Sequence, residues 1–303
     1  MMRIACYGEG LIDFTQQGNA FVPHPGGSPY NVAVALARLG CRTEFCSQLS
    51  TDMFGQQLVD YLQQNNVGTS HILRSQAPST LAFVATPENA EPEYAFFSQG
   101  AADVIPEPGQ PFPQPEADYH HFGSISLMQE PCGSFWEKYL TKRQGFISFD
   151  PNIRSSLIPD RSAWLQRLDR ILEYTSLLRL SIVDLQWIDP DSSVEKFARR
   201  ILERGVKMVA VTAGEQGAHL FTRQHTLHQP AASIQVIDTI GAGDTFTAGF
   251  LSVLSRSVTQ DAASQQLLLA EALKAGCLAA ALNCRQKGAN PPDRRALEQA
   301  MRQ

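Results

Sequence analysis

A loop of small residues at 241–244, with the sequence G-A-G-D, runs directly into an apolar helical pattern. Gly241, Ala242 and Gly243 lack bulky side chains, so consecutive backbone N–H groups can converge on an anion. The helix predicted to begin near Gly243 adds the positive end of its dipole. Asp244 follows, where it could remove a proton from a substrate hydroxyl. The pattern favours a phosphoryl-transfer site, although a glycine-rich turn with an acidic residue in the first helical turn explains these four residues equally well.

A second glycine pair, Gly26 and Gly27, lies just before a helix predicted over 29–39. Ser28 is predicted to be the N-cap of that helix. Capping does not require the two glycines, which let another molecule approach the backbone closely. Asn31 offers both a donor and an acceptor, as recognition of neighbouring hydroxyl groups requires. The cluster therefore favours a binding site for a polyol.

The composition excludes several classes of protein. The chain has 303 residues, 43% of them hydrophobic, which is enough for a sizeable core in one α/β domain over 1–303. A net charge of −5 and a pI near 5.8 argue against a nucleic-acid partner. Neither a signal peptide nor a membrane span is predicted, and six cysteines are too few for a disulfide framework. We expect a cytoplasmic protein without a membrane partner.

Short apolar runs alternate with helical patterns along most of the chain. This order predicts a doubly wound, mainly parallel sheet with helices on both faces. The predicted strands are 3–7, 43–47, 119–122, 146–150, 177–180 and 207–212, and the predicted helices include 29–39, 53–65, 134–142, 161–174 and 194–204.

Two segments, 14–24 and 80–98, do not follow this alternation. Both are strand-like and contain few helix-forming residues. We predict that they form a small antiparallel sheet that projects from the main domain.

Five sequence blocks together resemble the PfkB, or ribokinase-like, carbohydrate kinases, and within that family the fructokinases. They are G-E-G-L-I-D-F at 8–14, G-G-x-x-x-N at 26–31, F-G-S-I-S-L at 122–127, D-P-N-I-R at 150–154 and D-T-x-G-A-G-D-x-F-x-A-G at 238–249. The resemblance covers almost the whole chain. It implies a ribokinase-like fold with a lid over the sugar, and an ATP-dependent kinase that phosphorylates O6 of D-fructose.

The resemblance also assigns roles to individual residues. It implies that Asp244 is the general base and that the N–H groups of 241–244 bind the transferring phosphoryl group. Asp13 would accept two sugar hydroxyls, and the second glycine cluster with Asn31 would complete the sugar pocket. Arg154 would add a cation near the phosphates.

Two further positions concern the nucleotide and its metal. Thr212, Gly214 and Gly217 match a T-x-G-x-x-G turn that faces ATP in the family. Ser181 and Asp184 occupy the positions of a family N-x-x-E motif that organises water around Mg²⁺. Because both replacements are shorter or chemically different, we expect Mg²⁺ to bind mainly through ATP, with Asp184 acting through water.

The resemblance further implies a monovalent cation, K⁺, beside the 241–244 loop, held by the backbone carbonyls of Asp238, Ile240 and Gly288. Pro292 stands where relatives can offer a serine hydroxyl. With one ligand fewer, we expect potassium to activate the enzyme by less than about tenfold, or roughly 1.4 kcal/mol. The edges of the lid sheet also allow a homodimer.

Residues 98–103 lack the arginine that fructokinases tend to carry in the lid. The sequence therefore leaves other PfkB substrates open, including ribose, 2-keto-3-deoxygluconate and a riboside. It also leaves open a catalytically silent relative that senses a sugar.

Overall fold

The computed structural model describes residues 2–85, 93–105, 112–256 and 262–302. The strands in these residues are β1 (Arg3–Tyr7), β2 (Leu11–Gln17), β3 (Ala20–Gly26), β4 (Arg42–Ser50), β5 (Ile72–Ser75), β6 (Leu81–Ala85), β7 (Glu93–Phe97), β8 (Tyr119–Gly123), β9 (Phe146–Asp150), β10 (Leu177–Ser181), β11 (Met208–Thr212), β12 (Ala218–Phe221) and β13 (Thr226–Gln229). The α-helices are α1 (Ser28–Arg38), α2 (Met53–Gln64), α3 (Cys132–Leu140), α4 (Arg161–Leu172), α5 (Ile182–Ile188), α6 (Val194–Glu203), α7 (Ala242–Leu254), α8 (Ala262–Cys284) and α9 (Arg294–Met301).

The larger sheet has nine strands in the order β13-β12-β11-β10-β9-β8-β1-β4-β5. The seven strands from β11 to β5 pair in parallel, and β12 and β13 add an antiparallel hairpin at one edge. Strand interiors such as Ile4, Ala5 and Cys6 are fully buried, because helices cover both faces. The prediction of a mainly parallel α/β fold is confirmed.

The smaller sheet, here called the lid, has the order β3-β2-β6-β7. Its two hairpins are antiparallel, but β2 and β6 pair in parallel, so the prediction of a purely antiparallel sheet is wrong. The chain reaches β6 only after a long passage through the large sheet, and such a connection permits parallel pairing. Of the predicted segment 80–98, residues 86–92 lie outside the described residues.

The parallel strands bring several polar residues to one edge of the large sheet. Asp150, Ser181 and Thr212 are the last residues of β9, β10 and β11, and carboxyl ends of parallel strands share an edge. α1 and α7 begin at the same edge. The starts of both helices line one cavity together with the loop that follows β9.

Glycines set the start of both helices. Gly27, rather than Ser28, is the N-cap of α1, with φ of 106°. A Cβ atom at Gly27 would lie 2.7 Å from the carbonyl oxygen of Glu9. Gly241 is the N-cap of α7 in the left-handed region, with φ of 72°. The prediction of Ser28 as a cap is therefore wrong, and its hydroxyl has another partner, described below.

α7 and α8 pack closely in the core. By length and composition alone α8 could cross a membrane, but it buries Leu269, Ala272 and Leu273 inside the protein. Buried core helices can have the same length and apolar composition, so these two properties are weak evidence for a membrane span. The contact depends on Gly249, where a Cβ would lie 2.7 Å from the carbonyl oxygen of Ala275.

We expect Gly249→Leu to destabilise the protein by about 1–3 kcal/mol, because extra methylene groups overpack a filled core. Denaturant unfolding measures this as a lower midpoint. The control is Gln265→Leu on the exposed face of α8, which should change stability by less than about 0.5 kcal/mol. Equal stability of the two variants would contradict the proposed close packing.

Candidate active site

A polar cavity lies between the lid and the carboxyl edge of the large sheet. Its wall is formed by the starts of α1 and α7, by the loop after β9 and by the lid strands β2 and β7. The lining residues are Glu9, Leu11, Asp13, Gly27, Ser28, Asn31, Phe96, Ser124, Ile125, Asn152, Arg154 and residues 239–244. The cavity therefore joins both glycine clusters with Asp13, Arg154 and Asp244.

The carboxylate of Asp244 is held from both sides by α1. The hydroxyl of Ser28 donates to Oδ1 at 2.6 Å, and Nδ2 of Asn31 donates to Oδ2 at 2.9 Å. Asp244 is only 7% exposed. Its orientation is therefore fixed by two side chains that lie more than 200 residues earlier in the sequence.

Burial raises the pKa of Asp244, because removal from water disfavours the charged form. The hydrogen bonds from Ser28 and Asn31, and then the positive charges of Arg179 and Arg154, oppose this rise. A raised pKa makes the carboxylate a stronger base. The position is suited to accepting a proton from a hydroxyl group that enters the cavity.

The loop before α7 presents several unpaired donors. Within the described part of the chain, the N–H groups of Gly241, Gly243 and Asp244 have no hydrogen-bond acceptor. The N–H group of Ala242 donates to the carbonyl oxygen of Thr239 at 3.1 Å. Three N–H groups, rather than the four expected from sequence, are therefore available to an anion at the start of the helix.

Arg179, which sequence reasoning missed, lies beneath this loop. It is 5% exposed, and its guanidinium donates to Oδ2 of Asp150 at 2.7 Å and to Oγ1 of Thr212 at 2.8 Å. A Cβ at Gly243 would lie 2.7 Å from Nη1 of Arg179. The glycine thus lets a buried cation approach the loop. A charged residue inside the apolar strand L-L-R-L-S was the available sequence signal.

Asp13 lies within β2 of the lid and faces the cavity. A side chain at Gly26 on the neighbouring strand would collide with its carboxylate, so Gly26 leaves room for Asp13. Burial raises the pKa of Asp13 to about 7; Arg154 lowers it, and the charges of Asp244 and Glu9 raise it. Asp13 is therefore a carboxyl group whose charge changes near neutral pH.

Arg154 lies in the loop after β9. Its Nη1 donates to Oδ1 of Asn152 at 2.9 Å and to the carbonyl oxygen of Ile153 at 3.0 Å. Its charge acts on both Asp13 and Asp244. The predicted cation is therefore within electrostatic reach of both carboxylates.

Ser181 and Asp184 form a capping box at the start of α5. Oδ2 of Asp184 accepts from the N–H and the hydroxyl of Ser181, at 2.8 and 2.6 Å. Oδ1 accepts from the N–H of Ile153 at 2.8 Å, which ties the Arg154 loop to α5. Of about four acceptor positions on a carboxylate, three are occupied. Neither residue lines the cavity.

The predicted nucleotide turn follows β11, beside this edge but outside the cavity lining. Thr212 accepts from Arg179. Gly214 has φ of 53° and open space around its Cα. A Cβ at Gly217 would collide with the carbonyl oxygen of Gln229 in β13. Gly217 therefore lets the turn pack closely against β13, whereas the surface of the turn at Gly214 is open.

Glu9 is a second residue that the sequence analysis did not single out. It is 2% exposed, and its carboxylate accepts from the N–H groups of Ser28 and Ser126, at 3.1 and 3.2 Å. These bonds link the segment between β1 and β2 to α1 and to the turn after β8. Its place between two glycines in G-E-G was the available signal.

The residues predicted to hold a monovalent cation lie beside the loop. The carboxylate of Asp238 accepts from the N–H groups of Ile240 and Gly288, at 3.0 and 2.8 Å. The carbonyl oxygen of Gly288 accepts from the N–H of Asn290 at 2.9 Å. These groups connect the 238–241 segment to the chain after α8.

Comparison with known proteins identifies the family. Residues 1–295 match the model for pfkB family carbohydrate kinases. The chain belongs to the pfkB family of carbohydrate kinases. A fructokinase from Rhizobium leguminosarum bv. trifolii is 36% identical over 259 residues, which cover 83% of this chain and 79% of that protein. The family, the fold and the activity of an ATP-dependent sugar kinase, all predicted from sequence, are confirmed.

Three solved structures are similar over nearly the whole chain. Fructokinase from Xylella fastidiosa with bound ATP has a TM-score of 0.88, 27% identity and 99% coverage of both chains. Aminoimidazole riboside kinase from Salmonella enterica, complexed with aminoimidazole riboside and an ATP analogue, has a TM-score of 0.85, 26% identity and 99% coverage of both. A double mutant of fructokinase from Vibrio cholerae O395, in a form with fructose, ADP and potassium ion bound, has a TM-score of 0.85, 26% identity and coverage of 100% and 97%.

The pKa of Asp13 predicts a pH dependence of sugar binding. If Asp13 accepts sugar hydroxyls, as the resemblance implies, the charged carboxylate forms stronger hydrogen bonds with them than the protonated acid does, so affinity should rise as pH increases through the pKa near 7. Between pH 6 and pH 8 the ionised fraction grows roughly tenfold, and we expect the sugar dissociation constant, measured by calorimetry, to fall by about that factor. Asp13→Asn should bind weakly at both pH values. An affinity of the wild type that is independent of pH would contradict this role.

Proposed function

We propose that this enzyme is a fructokinase that transfers the γ-phosphate of ATP to O6 of D-fructose. One observation carries the proposal: the carboxylate of Asp244 is fixed at the start of α7, beside three unpaired N–H groups and in the same cavity as Asp13. The fructokinase relatives support fructose as the substrate.

The reaction then follows from this arrangement. Asp244 accepts the proton of the O6 hydroxyl as the oxygen attacks the γ-phosphorus, and the bond from that phosphorus to the β–γ bridging oxygen breaks. ADP leaves with this oxygen. The N–H groups of Gly241, Gly243 and Asp244 stabilise charge on the equatorial phosphoryl oxygens. Arg154 contributes positive charge at the same place.

Sugar recognition is assigned to the lid and to α1. Asp13 accepts two hydroxyls, and the amide oxygen of Asn31 accepts a third while its Nδ2 holds Asp244. Phe96 of the lid covers the cavity with an apolar ring and helps to exclude water. Gly26 and Gly27 act indirectly, because they make room for Asp13 and for the backbone of Glu9.

ATP is placed along the carboxyl ends of β10 and β11, with Thr212 and Gly214 beside its phosphates or ribose. Bound Mg²⁺ neutralises phosphate charge. The residues fit this ion only in part, because Asp184 has about one acceptor position left after its three hydrogen bonds. Asp184 would therefore hold Mg²⁺ through a water molecule, and ATP would supply most of the ligands of the ion.

A coupled ADP assay with a panel of sugars tests the substrate. We expect D-fructose to give the highest kcat/KM. The second candidate is a riboside, which the similarity to aminoimidazole riboside kinase favours. The panel also contains ribose and 2-keto-3-deoxygluconate. A higher kcat/KM for any of these three would overturn the assignment of fructose.

The role of Asp244 predicts a loss of rate rather than of binding. Asp244→Asn should lower kcat at least ~10²-fold, since general-base catalysis typically contributes 10²–10⁴-fold. Sugar affinity should stay within a few-fold. Asp60→Asn, on the exposed face of α2, is the control and should leave kcat unchanged. A kcat for Asp244→Asn within tenfold of wild type would show that Asp244 is not the general base.

We also propose that the lid mediates a homodimer. Phe14, Phe21, Phe83 and Phe97 form a ring cluster with centroid distances of 4.8 to 5.5 Å around Phe83. Strands alternate their side chains, so this face is opposite to the one that carries Asp13 and Phe96. Phe97 is 63% exposed at the edge strand β7, which supports an apolar contact with a second copy.

Phe97→Glu should shift the enzyme from dimer to monomer in sedimentation velocity, because it places a charge in the apolar contact. Tyr174→Glu, at an aromatic residue that is 43% exposed outside the lid, is the control and should leave the dimer intact. A monomeric wild type, or a dimer that survives the Phe97 change, would contradict the proposal.

A further inference from the structure

Ser28, the first residue of α1, connects two buried carboxylates. Its N–H donates to Oε1 of Glu9 at 3.1 Å, whereas its hydroxyl donates to Oδ1 of Asp244 at 2.6 Å. Glu9 is 2% exposed and Ser28 is 5% exposed. A buried hydrogen-bonded chain therefore runs from Glu9 through Ser28 to Asp244.

We infer that Glu9 is a positioning residue for Asp244 and acts through Ser28. Its carboxylate accepts the first N–H of α1, and the Ser28 hydroxyl is left to hold the base. The inference rests on the proposed role of Asp244 as general base. It concerns how that carboxylate is kept in its orientation, which none of the reacting groups explains.

The start of α1 shows why Glu9 is needed. The first N–H groups of a helix have no partner within it, and a serine at the N-cap often satisfies one of them with its side-chain oxygen. In α1 the N-cap is Gly27, which has no side chain, and Pro29 has no N–H group. The N–H of Asn31 donates to the carbonyl oxygen of Gly27 at 2.8 Å. The N–H of Ser28 is satisfied by Glu9, and the dipole of the helix favours a negative charge at this end.

Glu9 is itself held on two sides. Its Oε2 accepts from the N–H of Ser126 at 3.2 Å, in the turn after β8. On the other side, a Cβ at Gly27 would lie 2.7 Å from its carbonyl oxygen and 3.3 Å from its Cγ. The carboxylate therefore has little freedom to move.

The position of Ser28 follows from that of Glu9. A single rotatable bond, χ1, separates the Ser28 backbone from its hydroxyl oxygen, so a backbone fixed by Glu9 restricts where the hydroxyl can lie. Asn31 holds the other oxygen of Asp244 and does not depend on Glu9. Loss of Glu9 should therefore disturb the base without releasing it completely.

Glu9→Gln tests the inference with little change of shape. One oxygen becomes an NH₂ donor, which must face an N–H of either Ser28 or Ser126. We expect kcat to fall by about tenfold, whereas the sugar dissociation constant, measured by calorimetry, should stay within about threefold. Glu203→Gln, at the exposed end of α6, is the control and should leave both quantities unchanged.

Two further backgrounds show whether Glu9 acts through Ser28. Ser28→Ala keeps the N–H that Glu9 accepts but removes the hydroxyl that holds Asp244. In this background Glu9→Gln should change kcat by less than about threefold, because residues that act through one another are not additive. Asn31→Ala is the matched background: it removes the other bond to Asp244, and Glu9→Gln should keep its full effect there.

Equal effects of Glu9→Gln in the wild-type and Ser28→Ala backgrounds would overturn the inference. So would a loss of sugar affinity of more than about tenfold with kcat unchanged, because Glu9 would then bind the sugar itself. If Glu9→Gln does not fold, Glu9→Asp replaces it: the charge is kept, the oxygens lie one methylene further from Ser28, and the same dependence on Ser28 is expected. These ratios of kcat hold for whichever sugar is phosphorylated, so an error in the fructose assignment is distinguishable from failure of this inference.

Discussion

The contact between the Asp244 carboxylate and α1 is the interaction on which the site depends. Ser28 and Asn31 each donate to one of its oxygens, and the burial of Asp244 makes both bonds necessary. These bonds join the starts of two helices from opposite ends of the chain. The glycines at 27 and 241 let the helices begin close together, so Asp244, the unpaired N–H groups and Asp13 share one cavity.

Several buried charged side chains lie close together at the carboxyl edge of the large sheet. Arg179 neutralises Asp150 directly, whereas Arg154 acts on Asp13 and Asp244 through space. Removing Arg179 would leave the fully buried carboxylate of Asp150 with only the N–H of Asn152 as a partner, which is more costly than the ion pair is stabilising. Reactivity and stability at this edge are therefore coupled. Substrates that bring hydroxyls and phosphates alter the balance when they bind.

The alternation of apolar strands and amphipathic helices predicted the large sheet, because this pattern depends on local burial. The glycine motifs identified Asn31 and Asp244, and the resemblance to the PfkB kinases identified Asp13 and Arg154; the structure brings all four together. Features that depend on distant pairing were not predictable: β2 and β6 are parallel, and the Ser28 hydroxyl binds Asp244 instead of capping its helix. Arg179 and Glu9 were missed because no local pattern reveals the partners of a buried polar side chain.

A crystal structure with D-fructose and a non-hydrolysable ATP analogue tests the central claim most directly. The account predicts O6 of fructose within about 3.2 Å of the Asp244 carboxylate, which is hydrogen-bond distance. It also predicts the γ-phosphate oxygens facing the N–H groups of Gly241, Gly243 and Asp244. A sugar bound with O6 directed away from Asp244, or a γ-phosphate that does not contact these N–H groups, would contradict it.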